Sequence, residues 1–338
     1  MATTFALLPI IDISALRDHP PEQLPELSQR LYHIFTTTGF AYLINCPLSF
    51  THDEVFSMAR DFFSLPLEEK MNLAKKSFRP QNKNAYRGYF PTQPLHSTNN
   101  LKEGFEIGPP STPTPTTTTT TNIPLSEPNI WPTHFPSRQP LETLYTELQT
   151  LSTNLLSLLA LSLNHPADLF TPYLLNSLST LRLLHYPPPP PPSIINPTSD
   201  NELCCTPHTD SGILTLLHQD PTGGLEVQNA SGDWIPVPYI PGSLVVNIGD
   251  LMAKVSGGRF VATMHRVRIG GWASEGEGEG GGGSGKGLGL GRISVPFFFE
   301  PGEECVVRDL CGGGDEVVYG DHVRAKMRTW VEYQGVED

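Results

Sequence analysis

The chain has 338 residues and a formal net charge of −13, and this length is enough to bury a sizeable core in one large domain or two small ones. The acidic balance, with no basic cluster to offset it, argues against nucleic-acid binding. Five cysteines without metal-type spacing favour reduced thiols inside a cell, and we expect neither a signal peptide nor a membrane span. We therefore expect a soluble cytoplasmic protein, and a monomer.

The first 125 residues combine helical and extended patterns. Apolar residues at helical spacing predict three helices, and short β-rich runs predict strands between them. The predicted helices lie at 25–38, 51–63 and 66–71, and the predicted strands at 9–14 and 40–44. Residues 86–90, which are rich in Tyr, Gly and Phe, suit a loop or strand edge that faces a pocket.

From residue 126 onward, one long helix precedes a series of short strands. Leucines on a single stripe predict a helix at 141–163, which we expect to pack on a sheet as a buttress. Strands are predicted at 181–186, 203–206, 212–218, 224–228, 243–247, 260–268 and 291–299, and a closing helix at 321–331. Turns separate these strands at the intervals typical of a sandwich or barrel.

These patterns predict a mainly β fold with helical support. We expect a helical N-terminal region at 1–125 and a double-sheet β core with its buttress helix at 126–338. Low-complexity inserts are expected at 109–121, 187–192 and 270–291.

His208 and Asp210 are the first candidate metal ligands. They stand two residues apart, just before an apolar run that reads as a buried strand. On an extended backbone, side chains at i and i+2 leave the same face, so the imidazole and the carboxylate can meet at one point. The pair alone is weak evidence, because His218 and Asp220 repeat the same spacing.

A third ligand has to come from a distant strand, because local spacing cannot close such a site. His265 fits, since it lies on a strand-like run beyond several predicted hairpins. Two histidines and one aspartate make the facial triad of non-haem Fe(II) sites, which leaves positions for a chelating cosubstrate and O2. Any one of these histidines could instead be a structural residue.

Arg292 and Ser294 are candidates for binding the far carboxylate of a 2-oxo acid. They stand at i and i+2 on one predicted strand face, and a guanidinium can donate to both oxygens of a carboxylate. Tyr186, at the end of its own strand, could add a phenol hydrogen bond. Taken singly, Arg292 could equally be a surface ion pair and Tyr186 a core residue. Together, in the order Tyr, His-x-Asp, His, Arg-x-Ser, they favour the functional interpretation.

These motifs, in this order, resemble the Fe(II)/2-oxoglutarate-dependent dioxygenases of the isopenicillin N synthase-like family. The resemblance covers nearly the full chain. It is carried by the runs at 9–14, 38–42, 62–66, 87–89, 102–108, 208–212, 214–217, 223–227, 241–250, 265–267 and 292–298.

The resemblance implies a double-stranded β-helix, or jelly-roll, core. It also implies Fe(II) on His208, Asp210 and His265, with 2-oxoglutarate as cosubstrate and O2 as oxidant. The 2-oxoglutarate would be anchored by Arg292, Ser294 and Tyr186. His218 and Asp220 match a stretch of the family that carries no ligand. The implied activity is hydroxylation, desaturation or ring closure of a small organic molecule.

The chain departs from the family at two places. Leu184 stands where many plant members have an asparagine, so one hydrogen bond near the cosubstrate is missing. The Gly-Glu-rich insert at 270–291 replaces a short turn, and the site survives if this insert is a hairpin tip, because loop-closure entropy rises slowly with length.

Two alternatives stay open at the level of the sequence. An oxidase like isopenicillin N synthase uses the same iron ligands without 2-oxoglutarate, and its Arg-Ser-Tyr group holds the carboxylate of the substrate. A relative that binds metal but has lost activity would keep the fold.

The substrate is the least determined part of the prediction. Candidate substrate contacts are Tyr86, Tyr89, Phe90, Phe105 and Phe299, although aromatic residues at such places are as often core. The homopolymeric tracts hint at a filamentous-fungal genome and at secondary metabolism.

Overall fold

The computed structural model describes residues 3–92, 101–110, 125–188, 203–268, 291–312 and 316–328. The three predicted low-complexity inserts lie mostly outside these residues, as does the end of the predicted closing helix.

An eight-stranded mixed sheet forms the larger layer of the molecule. Its strands in spatial order are β1 (Ile10–Asp12), β2 (Phe40–Ile44), β10 (Leu244–Ile248), β7 (Leu214–Gln219), β12 (Arg292–Phe299), β5 (Thr180–Tyr186), β4 (Glu103–Ile107) and β3 (Gly88–Phe90). All neighbouring pairs are antiparallel except β1 and β2. The N-terminal strands β1 to β4 therefore complete both edges of a sheet whose centre comes from the second half of the chain.

A second, four-stranded sheet faces the first. Its order is β6 (Leu203–His208), β11 (His265–Arg268), β8 (Leu225–Gln228) and β9 (Trp234–Pro236). A short pair, β13 (Val306–Val307) and β14 (Val317–Val318), stands apart from both sheets. One apolar cluster joins the two main sheets, with Phe40, Leu184 and Tyr186 from the large sheet and Leu225 and Val267 from the small one. We call the large-sheet face that carries this cluster the inner face.

Helices cover the other face of the large sheet. They are α1 (Pro25–Phe35), α2 (His52–Phe63), α3 (Leu67–Met71), α4 (Arg138–Ser162), α5 (Asp250–Val255) and α6 (Tyr319–Met327). Thr51 caps α2 through a capping box with Glu54, which satisfies backbone N–H groups at the first turn. Leucines of α4 such as Leu144 and Leu148 are fully buried in the larger apolar core, and each contributes roughly 1.5–3 kcal/mol of burial free energy.

The predicted fold class is confirmed. Most predicted elements are present, and β2 has the predicted bounds. The structure differs at the predicted strand 260–268, where strand pairing begins only at His265 and residues 261–264 have no regular structure. The short strand β9 was not predicted, because Trp234–Pro236 carries too few residues for a periodic pattern. Among the described residues, no helix has both the length and the hydropathy required to cross a membrane.

Candidate metal centre

The ends of the small sheet bring the three predicted ligands together. His208 ends β6 and His265 begins the neighbouring β11, where the two residues are register partners. Asp210 follows β6 by two residues. Its Oδ1 lies 3.9 Å from Nε2 of His208 and 3.6 Å from Nε2 of His265. Within the described residues this is the one group of three or more His, Cys, Asp or Glu whose ligand atoms all lie within 4.8 Å of one another.

Backbone carbonyls set the protonation of both imidazoles. Nδ1 of His208 lies 2.8 Å from the carbonyl oxygen of Thr206, and Nδ1 of His265 lies 3.2 Å from that of Thr263. A carbonyl oxygen can only accept, so each Nδ1 carries the proton and donates it. In its neutral form each ring then presents the lone pair of Nε2 to a transition metal. Although burial opposes the shift, the neighbouring Cys205 and Asp210 raise the pKa of His208 to about 9, so this ring has to lose a proton when a metal binds.

Two side chains hold the outer oxygen of Asp210. Thr215 on β7 donates from Oγ1 to Oδ2 at 2.5 Å, and Asn247 on β10 donates from Nδ2 to the same oxygen at 2.8 Å. Burial opposes ionisation of this carboxyl group. The two imidazoles and the two hydrogen bonds nevertheless hold the pKa of Asp210 below its ordinary value. Oδ1 is left facing the histidines as an anionic oxygen.

Backbone contacts fix the loop that carries Asp210. Its carbonyl oxygen accepts from the N–H of Asp250 at 2.7 Å, and the N–H of Gly249 donates to Ile213 at 3.0 Å. A Cβ on Gly249 would lie 2.2 Å from the carbonyl oxygen of Gly212. Glycine is therefore required at 249, because the two chain segments approach too closely for any side chain.

Burial keeps His265 neutral. Its removal from solvent lowers the pKa of this imidazole to about 4, although the Asp210 carboxylate opposes the shift. The edge of the Phe40 ring packs against it, with ring centroids 5.3 Å apart. A neutral imidazole at neutral pH is ready to bind a metal ion without first losing a proton.

The competing pair, His218 and Asp220, has a different environment. Asp220 accepts from the backbone N–H groups of Ile293 at 2.6 Å and Thr222 at 3.0 Å, so both oxygens organise the local chain. His218 is buried on the helix-facing side of the large sheet, with its ring 5.1 Å from that of His52. Neither ring nitrogen of His218 has a hydrogen-bond partner among the described residues.

We expect this buried histidine to make the fold sensitive to acid. Burial, with a smaller contribution from His52, lowers the pKa of His218 from 6.5 to about 3. Between these two pKa values His218 binds a proton in the unfolded chain but not in the folded one. Its contribution to the free energy of unfolding is therefore fully present above about pH 6.5 and is lost as the pH drops. At pH 5 the loss amounts to about 2 kcal/mol. Urea unfolding at pH 7.5 and pH 5 measures it.

The variant His218→Phe should lose less stability than the wild type between these two pH values, because the phenyl ring fits a buried apolar site and does not titrate. His33→Gln, on the exposed side of α1, should behave as the wild type does. An equal acid-induced loss in His218→Phe would contradict this assignment.

The residues of the predicted anion clamp lie on the inner face of the large sheet. Arg292 and Ser294 lie on β12, and Tyr186 on β5 is the register partner of Arg292. The Tyr186 ring lies against the guanidinium, with Cζ 4.8 Å from the ring centroid. Nε of Arg292 donates to the carbonyl oxygen of Gly223 at 2.7 Å. Nη1 is buried and has no hydrogen-bond partner among the described residues, so the site fits an anion such as a carboxylate.

The predicted substrate residues fall on both faces of the large sheet. Tyr89, Phe105 and Phe299 belong to the core between the sheet and the helices, and Tyr86 lies in the same core. Phe90 belongs to the cluster on the inner face, which it shares with Tyr186. Phe90 is therefore the one predicted substrate residue on the face that carries the clamp.

Sequence reasoning missed the side chains that support the ligands. Thr215 and Asn247 are both buried; Asn247 is the one polar residue of β10, and Thr215 stands between Leu214 and Leu216 in β7. This break in the pattern was the available signal, because a buried polar side chain has to have a hydrogen-bond partner.

A jelly-roll core with a His-Asp-His group at the end of its small sheet defines a class of non-haem iron proteins. The donor set fits Fe(II): two imidazole nitrogens and one carboxylate oxygen converge, and each ligand is oriented by a hydrogen bond on its far side.

Comparisons with known proteins agree with this class. Residues 177–301 match the 2OG-Fe(II) oxygenase superfamily, and residues 8–134 match the family described as non-haem dioxygenase in morphine synthesis N-terminal. The chain is 29% identical to a homoarginine-6-hydroxylase of Arabidopsis thaliana, which covers 97% of this chain and 99% of that protein. It is 32% identical to the 2-oxoglutarate-dependent dioxygenase citB of Monascus ruber, over 77% of this chain and 79% of that one.

A solved structure extends the agreement to the fold. A full-length Neurospora crassa protein, crystallised in complex with alpha-KG and 5-formyluracil, superposes with a TM-score of 0.77 at 25% identity, covering 96% of this chain and 97% of that one. The chain belongs to the 2OG-Fe(II) oxygenase superfamily. It is an Fe(II)- and 2-oxoglutarate-dependent oxidoreductase that uses O2 and acts on small molecules.

Proposed function

We propose that His208, Asp210 and His265 hold the Fe(II) of this oxygenase. The convergence of their ligand atoms within 4.8 Å carries this assignment. The hydrogen bonds on the far side of each ligand support it, because they leave one donor atom per residue facing the same point.

The far carboxylate of 2-oxoglutarate is assigned to Arg292, with Ser294 and Tyr186 beside it. The buried Nη1 of Arg292 is the supporting observation. Its other contacts, the Gly223 carbonyl and the Tyr186 ring, hold the guanidinium in place before the cosubstrate binds. Such preorganisation lowers the entropy cost of binding.

When bound, Fe(II) and 2-oxoglutarate would supply, with O2, an oxidation of the substrate that is coupled to decarboxylation: one oxygen atom enters succinate, the other oxidises the substrate, and CO2 is released. The chain's own contribution is to place the reactants. Arg292 orients the cosubstrate, the buried strands exclude bulk water, and the inner face of the large sheet positions the substrate. Hydroxylation is the outcome that we propose, with desaturation and ring closure as its variants.

Four finer points belong to the same proposal. The protein acts as a monomer in the cytoplasm, it serves secondary metabolism, and its N-terminal region, 1–125, supports a catalytic core at 126–338. The cysteines support the location, since all five lie in the described part of the chain and are free thiols. Size-exclusion chromatography with light scattering tests the monomer.

Succinate release tests the proposed activity. The purified protein, loaded anaerobically with Fe(II) and 2-oxoglutarate, is exposed to O2 with a panel of small organic metabolites. We expect at least one to stimulate succinate release above the rate without substrate. Oxygen consumption without succinate would favour the oxidase alternative, and iron binding without any oxygen consumption would favour a relative without activity.

A further inference from the structure

Two histidines pack together on the helix-facing side of the large sheet, opposite to the inner face. His218 lies on β7, and His52 is the first residue of α2. Their ring centroids are 5.1 Å apart, and the ring planes are inclined by 75°. His218 is 1% exposed and His52 is half-buried. Neither ring has a role in the proposed function.

Three ring nitrogens of this pair are buried without a hydrogen-bond partner among the described residues: Nδ1 of His52, and Nδ1 and Nε2 of His218. Because both nitrogens of His218 are unpaired, the two rings do not hydrogen-bond to each other. Buried polar atoms in native proteins nearly always have a partner, so such exceptions point to a bound group that the chain itself does not supply. Apolar packing does not explain the pair, since phenyl rings pack edge to face equally well without polar atoms.

Both rings are neutral at neutral pH. Burial lowers the pKa of His218 to about 3, with a smaller contribution from His52. Burial also lowers the pKa of His52, although the carboxylate of Asp53 opposes this shift. A neutral imidazole carries one N–H group and one lone pair, and the lone pair is what binds a transition-metal ion. The pair therefore offers two nitrogen ligands.

The separation of the rings fits a tetrahedral ion. In four-coordinate sites Zn(II) lies about 2.0–2.1 Å from each imidazole nitrogen. Two imidazoles bound to one such ion at the tetrahedral angle have ring centroids about 5 Å apart. The observed separation of 5.1 Å agrees with this geometry. Because His52 is half-buried, the remaining positions of the ion are available to water.

The charged side chains near the pair also favour a cation. Asp53 follows His52 directly in α2. Partial burial, together with the carboxylates of Asp53 and Asp220, raises the pKa of Tyr239, whose ring centroid lies 5.8 Å from that of His52. Anionic groups therefore lie close to unpaired imidazole nitrogens, and their field attracts a divalent cation.

We propose that His52 and His218 bind a divalent transition-metal ion, with Zn(II) as the best match, at a second metal site separate from the iron centre. Zn(II) is the proposed ion because imidazole ligands suit it and because it favours four ligands in tetrahedral geometry. The ion joins α2 to β7, the strand whose Thr215 donates to Asp210 on the opposite side. It stabilises the folded chain, since the unfolded chain does not hold the two rings together.

Zinc titration of the iron-loaded protein tests the inference. The wild type is loaded anaerobically with Fe(II) and 2-oxoglutarate, whose joint visible absorption shows that the iron stays bound, and Zn(II) is then added in a calorimeter. We expect one further Zn(II) to bind per chain. His52→Gln and His218→Phe each remove one nitrogen ligand, so each should weaken this binding by at least about tenfold. Zn(II) should also raise the urea midpoint of the wild type but not those of the two variants.

The controls identify where the zinc binds. His33→Gln, on the exposed side of α1, should bind Zn(II) as the wild type does. If Zn(II) does not bind, only displaces the iron, or binds equally to the wild type and both variants, the inference is wrong and the rings are merely packed together. If His218→Phe does not fold, His52→Gln decides by itself, because it lies at the half-buried start of a helix. A wild type without the absorption of Fe(II) and 2-oxoglutarate would count against the proposed function, while the comparison of zinc binding with the variants would still decide the inference.

Discussion

Replacing Asp210 by alanine is expected to abolish turnover and to weaken Fe(II) binding by more than about 100-fold. The change removes the one anionic ligand and leaves two neutral imidazoles, whose geometry alone cannot compensate for the lost charge. Fe(II) titration under anaerobic conditions measures the affinity, and succinate release measures the activity. Asp18→Ala, at an exposed position far from the site in the sequence, should change neither quantity. Wild-type Fe(II) affinity in Asp210→Ala would overturn the ligand assignment.

The neighbours of Asp210 provide a graded comparison. Thr215→Val and Asn247→Ala keep all three ligands and each remove one hydrogen bond to Oδ2. We expect each to lower Fe(II) affinity by roughly 10- to 100-fold, as is usual for residues that orient a metal ligand. An effect as large as that of Asp210→Ala would mean that these residues maintain the fold instead.

The variant Arg292→Ala is expected to raise the KM for 2-oxoglutarate by roughly 100-fold with little change in Fe(II) affinity. Loss of a buried charge-assisted hydrogen-bonding site costs about 2–3 kcal/mol, which corresponds to this factor. Succinate release at increasing 2-oxoglutarate concentration measures it. Arg292→Lys keeps the charge but loses the two parallel N–H donors of the guanidinium, so its KM for 2-oxoglutarate should lie between those of the wild type and Arg292→Ala. Arg308→Ala, at an exposed arginine, should match the wild type.

Two results would contradict the cosubstrate assignment. Normal 2-oxoglutarate dependence in Arg292→Ala would place the cosubstrate elsewhere. A raised KM for the organic substrate, with that for 2-oxoglutarate unchanged, would instead mean that Arg292 holds the substrate's carboxylate, as in the oxidase alternative.

Local patterns predicted individual elements better than their arrangement. The apolar run of β2 and the capping box of α2 depend on neighbouring residues, so their bounds followed closely from the sequence. The joining of β2 to β10, or of β4 to β5, depends on contacts far apart in the chain. The spacing of strands and turns indicated a double sheet in advance, but residue spacing does not encode which strands pair.

The residues of the candidate site also fall into those that local patterns predicted and those that they did not. His208 and Asp210 were recognisable because two residues of extended chain bring both side chains to one face. His265 was chosen because it lies on a strand-like run far along the chain, and the family resemblance then supported the choice, since nothing local connects it to Asp210. Thr215 and Asn247 escaped notice because a polar residue in a short strand usually indicates a face open to water. Here both side chains are buried and donate to Asp210.

The hydrogen bonds to Oδ2 of Asp210 have a consequence for coordination number. A carboxylate can bind a metal ion through one oxygen or through two, and the second mode uses an additional position. Because Thr215 and Asn247 both donate to Oδ2, only Oδ1 is available on the side of the histidines. With His208, Asp210 and His265 as the proposed ligands, the protein would contribute three donor atoms, and three of the six positions of Fe(II) would stay available for exogenous ligands. A bidentate carboxylate would leave two, too few for a chelating 2-oxo acid and O2 together, so the denticity of one aspartate determines which reaction this fold can support.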